Sequence, residues 1–362
     1  MPRSAVSRPA PRASGEHPLS ERERAVLRCV VQQFIQTAAP VGSRAIADSF
    51  DLSSASIRAT MQTLEAAGYL GHPHTSAGRV PTEQGYRAYV DELMDVQGLS
   101  AREAALLRES VRRRLGDLDA VARETSRLLG RLASLLGVVL TPRLSVGVLE
   151  RLEVVPIAAQ RVLFVLALRG GLARTVMAEI DEAVVPEALD AVVQRLNERL
   201  AGLSLDEIRR TGAARVQDLA PDDATGVVRV VLRERAALFQ EPAAAARAAV
   251  AGAQHLVAQP EFRSPDAVRD AVELAEREDE LVLLLERPEL AQVERTLILI
   301  GEELARGEGP AAYSVVSAPY TVGDAVGAVA LVGPTRMDYA RAVALVEHVA
   351  ALLSGRHEAA AA

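Results

Sequence analysis

The sequence predicts a multidomain α+β chain that opens with a winged helix-turn-helix. Three observations predict it. Residues 19–68 hold three helix-length segments, each with a capping residue at its start. A glycine-containing turn between two short polar strands follows at 69–81. From Ser145 the apolar period changes from helical to alternating, gives way to a helix-dominated stretch at about 182–287, and then returns.

The totals set bounds. A chain of 362 residues has room for two or three domains. Hydrophobic residues make up 49%, but aromatics only 3% and Trp none, so the cores must be built from Ala, Val and Leu. All 41 basic residues are arginine, a compositional bias and not a functional signal. The net charge of −7 argues against a chain that coats nucleic acid along its length. Residues 1–90 nevertheless carry +3 and residues 91–362 carry −10, so any nucleic-acid contact belongs to the N-terminal part. The single cysteine, Cys29, excludes an intramolecular disulfide and a Cys-rich zinc site, and reads as a buried small hydrophobe. No membrane-spanning run or signal peptide is visible, which predicts a cytoplasmic chain. Residues 1–18, rich in Pro, Ala, Ser and Arg, and residues 356–362 read as disordered tails.

The N-terminal domain is read at 19–95. Ser20 and Glu23 have the spacing of a capping box. The helix they open places Leu27, Val30, Val31 and Phe34 on one face and runs to about Thr37. Ser43, followed by Arg44, caps a second short helix with Ile46 and Phe50 on its inner side. Ser53 or Ser54 caps a third, which ends near Gly68. Its inner stripe is Ile57, Met61 and Leu64. Ala55, Ala59, Gln62 and Ala66 lie opposite, flanked by Ser56, Arg58 and Thr63.

A face of small and polar residues suits entry into the major groove of double-stranded DNA, and Ser43, Arg44, Ser54 and Ser56 at the starts of the second and third helices are candidate contacts beside it. Arg58 can donate two bonds to guanine, Gln62 can pair with adenine, and Ala55 or Ala59 can meet a thymine methyl. Residues 69–74 read as the first wing strand, and Thr75-Ser76-Ala77-Gly78 as the turn, with Gly78 free to take positive φ. Arg79-Val80-Pro81 returns, which puts Arg79 at the ribbon tip within reach of a phosphate or the minor groove, beside His74, Thr75 and Ser76. His72 and His74 share a face; without a third ligand, phosphate or solvent contact is the better reading than a metal. Thr82 caps a fourth helix with Tyr86, Tyr89, Val90 and Leu93 on its apolar side.

Residues 99–116 and 117–137 read as two amphipathic helices that connect, across 96–141, to the body. The run Arg112-Arg113-Arg114 reads as a solvated helix face among acidic neighbours. Residues 146–149, 151–156, 161–168 and 173–180 read as strands, with a hairpin turn at Gly170-Gly171. Strands return at 293–300, 312–317 and 325–332, and a last helix runs from about Tyr339 to Leu353. This pattern reads as one α+β domain, 142–181 with 288–355, interrupted by an insertion at 182–287. No set of catalytic residues can be placed, so no enzyme, cofactor or metal site is expected.

Several blocks together resemble one known family. They are Leu19-Ser20-Glu21-Arg22, Pro40-Val41-Gly42-Ser43, Ser54-Ala55-Ser56-Ile57-Arg58, Leu64-Glu65-Ala66-Ala67-Gly68-Tyr69-Leu70 and the H-T-S-A-G-R-V-P-T run from His74. Far downstream come Gln259-Pro260-Glu261-Phe262, Ile300-Gly301-Glu302-Glu303 and Gly333-Pro334-Thr335-Arg336-Met337-Asp338-Tyr339. In this order, over about 19–355, they resemble the heat-inducible transcription repressors of the HrcA type. One departure matters: the family pattern has Asn and then an acidic residue after the recognition-helix arginine, where this chain has Ala59 and Thr60.

The resemblance implies a GAF-like body with an inserted helix-rich dimerisation domain. It also implies a homodimer on a CIRCE-like inverted repeat upstream of chaperone genes, held active by the GroEL chaperonin and lost on heat stress. The alternative is a regulator whose GAF-like domain senses a metabolite. For such a pocket Tyr313, Tyr320, Arg336 and Tyr339 are the residues to inspect, although core packing and interdomain contacts account for them better.

Overall fold

The computed structural model describes residues 19–50, 52–73, 78–112, 118–180, 186–240, 247–287, 296–304 and 313–355. The expected tails, the wing-turn residues His74, Thr75 and Ser76, and Arg113 and Arg114 of the basic run lie outside them.

Helix α1 (Glu21–Thr37) starts at the expected capping box, with Ser20 Oγ accepting from Glu23 N and Glu23 Oε2 accepting from Ser20 N. Val26, Leu27, Val30 and Val31 are its buried stripe. Helix α2 (Ser43–Ala47) begins one residue early: Gly42 is its cap, and Ser43 lies in the first turn instead of capping it. Helix α3 (Ser54–Ala66) is capped by Ser53, and Gly68 beyond its end takes φ +82°. Strands β1 (Leu70–Gly71) and β2 (Val80–Pro81) are shorter than the sequence suggested. Val41 adds a third partner by bridging Arg79. Helix α4 (Glu83–Ala88) is capped by Thr82 and continues into a π-helical turn, Tyr89–Leu93.

Helices α5 (Ala101–Arg112) and α6 (Leu118–Ala133) follow. The second of them stops earlier than expected. Ser134 takes a left-handed φ of 56°, and β3 (Leu136–Leu140) leaves as a fully buried strand. A hairpin meander comes next: β4 (Leu149–Ala158), β5 (Arg161–Leu168) and β6 (Ala173–Glu179). Residues 144–146, partly expected in a strand, form a 3-10 turn. Helices α7 (Pro186–Leu200), α8 (Leu205–Val216) and α9 (Val227–Leu238) close over one face of this sheet. Then come β7 (Ala248–Ala251), α10 (Ala253–Leu256), α11 (Pro265–Glu276), α12 (Glu278–Leu285), β8 (Leu297–Ile300), β9 (Tyr313–Val322), β10 (Ala325–Pro334) and α13 (Tyr339–Leu353).

The strands form two separate larger sheets, and this corrects the domain boundaries read from the sequence. β7-β3-β10-β9-β8 make one antiparallel sheet, and β4-β5-β6 make another. The strands at 149–179 therefore belong with α7–α9 in the inserted unit, not with the strands at 297–334. Conversely β7 and α10–α12, expected inside the insertion, complete the five-stranded sheet and cover one of its faces. The other face packs against α6, α13 and the winged helix in one continuous core.

The insertion leaves and re-enters the sheet domain at adjacent points. Thr141 N donates to Arg247 O at 2.8 Å. Glu286, at the end of α12, accepts from both Arg143 and Arg247, so one carboxylate pins both crossings. Among the described residues no helix is long and apolar enough to cross a membrane.

Candidate nucleic-acid interface

The helix-turn-helix core sorts the residues of α3 by period. Ile57, Thr60, Met61 and Leu64 are buried, while Ala55, Arg58, Ala59, Gln62, Thr63 and Ala66 are exposed in the whole chain. Arg58 and Gln62 lie one turn apart, so both point the same way. Arg58 and the exposed Arg44 of α2 have no carboxylate partner among the described residues. Three of the expected contacts are withdrawn: Ser43 is buried, Ser56 is half-buried and donates its backbone N–H to Ser53 Oγ, and Ser54 is half-buried. Ser43 Oγ and Ser54 Oγ lie 3.0 Å apart, which brings the N-termini of α2 and α3 into one corner. Of the two departures from the family pattern, only Ala59 faces outward. Thr60 is buried, and its hydroxyl donates to Ser56 O at 3.2 Å.

The wing differs from expectation at two residues. Gly78 does not take positive φ; it is required for closeness instead, because a Cβ there would run into the backbone of Val41. Arg79 does not stand at the ribbon tip. Its backbone is bridged to Val41, and its guanidinium turns toward α3, with Nη2 2.8 Å from Glu65 Oε2. Glu65 Oε1 meanwhile accepts from His72 Nδ1. His72 therefore faces a carboxylate on the recognition helix, a partner that neither a metal nor a phosphate reading foresaw.

The winged helix docks on the body through α1 and α4, which leaves the outer face of α3 open. Arg87 Nε donates to Glu303 Oε1 at 2.9 Å and Arg87 Nη2 to Ile298 O at 2.9 Å. Glu83 Oε2 accepts from Glu302 N at 3.1 Å. Arg336 donates to Ile35 O at the end of α1 while its other nitrogens hold Glu261 and Gln259. The rings of Tyr86 and Tyr339 meet at 5.9 Å, and burial pushes both hydroxyl pKa values up.

These contacts explain the distant sequence blocks. Residues 259–262, 300–303 and 333–339 converge on the junction with the DNA-reading domain. Tyr313, Tyr320 and Tyr339 are buried core residues; Arg336 is an interdomain clamp. The sequence patterns gave Arg87 and Glu65 no contact of their own, because the partners that place them, Glu303 and Arg79, lie on other elements.

Comparison with known proteins agrees with this geometry. The family model described as winged helix-turn-helix transcription repressor, HrcA DNA-binding, matches residues 18–94, and the HrcA protein C terminal domain matches residues 119–343. The heat-inducible transcription repressor HrcA of Prosthecochloris aestuarii is 39% identical, over 93% of this chain and 97% of the relative. That of Chlorobium phaeobacteroides (strain BS1) is 38% identical, over 93% and 98%. A crystal structure of a hypothetical protein at 2.2 Å resolution shares the fold, with a TM-score of 0.63 and 23% identity over 93% of this chain and 98% of that one. The winged helix with its open recognition face, and the body that carries it, are those of a repressor: the chain belongs to the HrcA family of heat-inducible transcription repressors.

Proposed function

We propose that the chain represses chaperone genes by binding a CIRCE-like inverted repeat as a homodimer, with the GroEL chaperonin maintaining its active state until heat stress diverts the chaperonin. The observation that carries the DNA reading is the outer face of α3, exposed at Arg58 and Gln62 and without a side-chain partner there among the described residues while the domain is docked. Arg58 is the base reader, with Gln62, Ala55 and Ala59 beside it. Arg44 and the half-buried Ser54 and Ser56 contact backbone phosphates around the two helix N-termini, while the buried Ser43 steadies Ser54. His74, Thr75 and Ser76 are assigned to the wing on sequence grounds alone. With Ala59 in place of an amide, one base contact is lost, a cost of about 1–3 kcal/mol that shifts or weakens the preferred half-site.

The homodimer is supported by the outer face of the β4-β5-β6 sheet. Its inner face, with Leu152, Phe164 and Leu166, is buried under α7–α9. The outer face carries an apolar row between charged pairs: Val155, Leu163 and Met177 stand in one cross-strand row, with Ile157 beside it, flanked by Arg161–Glu179 and Arg151–Glu153. Met177 is 64% and Ile157 56% exposed, an arrangement that favours burial against a second copy. Two-fold pairing would present two recognition helices to major-groove faces about 34 Å or a multiple apart, which predicts an inverted repeat. A chaperonin that stabilises the competent fold raises its population by linkage.

Selection of bound duplexes from a random pool tests the reading, repeated with and without GroEL and before and after a heat step. An inverted repeat with fixed spacing, bound more tightly with chaperonin present, is expected. A direct repeat or a single half-site would overturn the dimer geometry, and indifference to chaperonin would overturn the switch.

A further inference from the structure

Glu65 occupies the last turn of α3, where the recognition helix faces the wing. One of its carboxylate oxygens accepts from His72, which follows β1, and the other lies 2.8 Å from Nη2 of Arg79, which precedes β2. A single side chain thus holds both strands of the ribbon, one on each side of the turn. Arg79 is only 15% exposed and Glu65 27%, so the pair is largely withdrawn from solvent. Arg79 Nε is buried and has no acceptor among the described residues, so the guanidinium is turned inward and not toward a ligand in solution.

We propose that Glu65 is a positioning residue for DNA recognition: it sets the angle between wing and recognition helix through His72 and Arg79, and Arg79 acts as the ribbon's anchor and not as a phosphate ligand. The proposal rests on the winged helix being the DNA reader. It differs in its consequences from a phosphate contact. A phosphate ligand releases counterions on binding, and its loss lowers the salt dependence of affinity by about 0.9 in log–log slope. An anchor changes affinity without changing that slope, and its effect vanishes once its partner has gone.

The test uses full-length Glu65→Gln, Arg79→Ala, the double variant, and the charge exchange Glu65→Arg with Arg79→Glu. Affinity for a duplex selected by the unaltered protein is measured over a series of KCl concentrations, beside a scrambled duplex. Each single variant is expected to lose about tenfold in affinity for the selected duplex, the double variant no more than either, with the slope unchanged. The charge exchange restores the Arg79 pair but not the His72 contact, so it is expected to recover part of the loss, which also guards against a single variant that fails to fold. A slope reduced by about one in Arg79→Ala, together with unchanged or tighter binding in Glu65→Gln, would make Arg79 a phosphate ligand and overturn the proposal. Failure of the unaltered protein to prefer the selected duplex would instead overturn the DNA-reading assignment itself.

Discussion

Arg87 in the winged helix and Glu303 in the body face each other across the domain junction, with Nε 2.9 Å from Oε1. Both side chains are mostly buried, so the charged hydrogen bonds are stronger than an exposed pair would be. Arg87→Ala is expected to cost about 1.5–3 kcal/mol of stability, read as a lower urea midpoint, with faster amide exchange in α4. An unchanged midpoint and unchanged exchange would show that the apolar contacts alone hold the junction.

Gly78 tests the wing from the backbone side. An added Cβ meets the carbonyl and amide of Val41, which cannot move aside as a side chain would. Gly78→Ala is expected to open the Val41–Arg79 bridge and cost about 1–3 kcal/mol, as overpacking does. Gly71→Ala is the control, since its Cβ would meet only Thr82 Cγ2 at an ordinary 3.7 Å. Equal melting temperatures for the two variants would contradict the close approach.

Glu103 gives a pH signature. Hydrogen bonds from Ser100, and then from Arg341, hold its carboxyl well below the usual range, at about 2. Because the folded-state value is depressed, the stabilisation is complete above the unfolded value of about 4.3 and is lost as the pH falls toward 2. Carbon-13 NMR should show Glu103 titrating near the bottom of that window, and Arg341→Ala should move it up. A midpoint near 4.3 in the unaltered protein would remove the linkage.

The outer face of the three-stranded sheet tests the dimer. Val155→Asp and Met177→Asp alter exposed positions and leave the core under α7–α9 intact. Sedimentation should show a monomer with an unchanged circular dichroism spectrum and little affinity for an inverted repeat. A dimer that survives both changes would place the contact elsewhere.

Most of the winged helix was legible in the sequence because its information is local. The Ser20–Glu23 box, the Ser53 and Thr82 caps and the Ile57, Met61, Leu64 stripe each lie within one element. The body was less legible because sheet membership is not local. Residues 149–179 alternate as strands should, but nothing in the alternation says whether they pair with 313–334 or with one another. Leu136–Leu140 continued the apolar pattern of α6, and so short an apolar run does not by itself distinguish strand from helix. Ala248–Ala251 is built mostly of alanine, a poor strand signal. At the site, the exposed face of α3 followed from its period, whereas Arg79 did not: its orientation is decided by Glu65, fourteen residues away, and by the bridge to Val41.

The most direct test of the account is the binding of Arg58→Ala to a selected inverted-repeat duplex and to a scrambled one, at the same salt concentration. Arg58 is exposed and makes no contact that the fold needs, so the variant should fold normally. If Arg58 reads a base, affinity for the selected duplex falls by about 1–3 kcal/mol while affinity for the scrambled duplex changes far less. An equal loss on both duplexes would contradict the account, because Arg58 would then be a phosphate contact and the outer face of α3 would not be the reading surface.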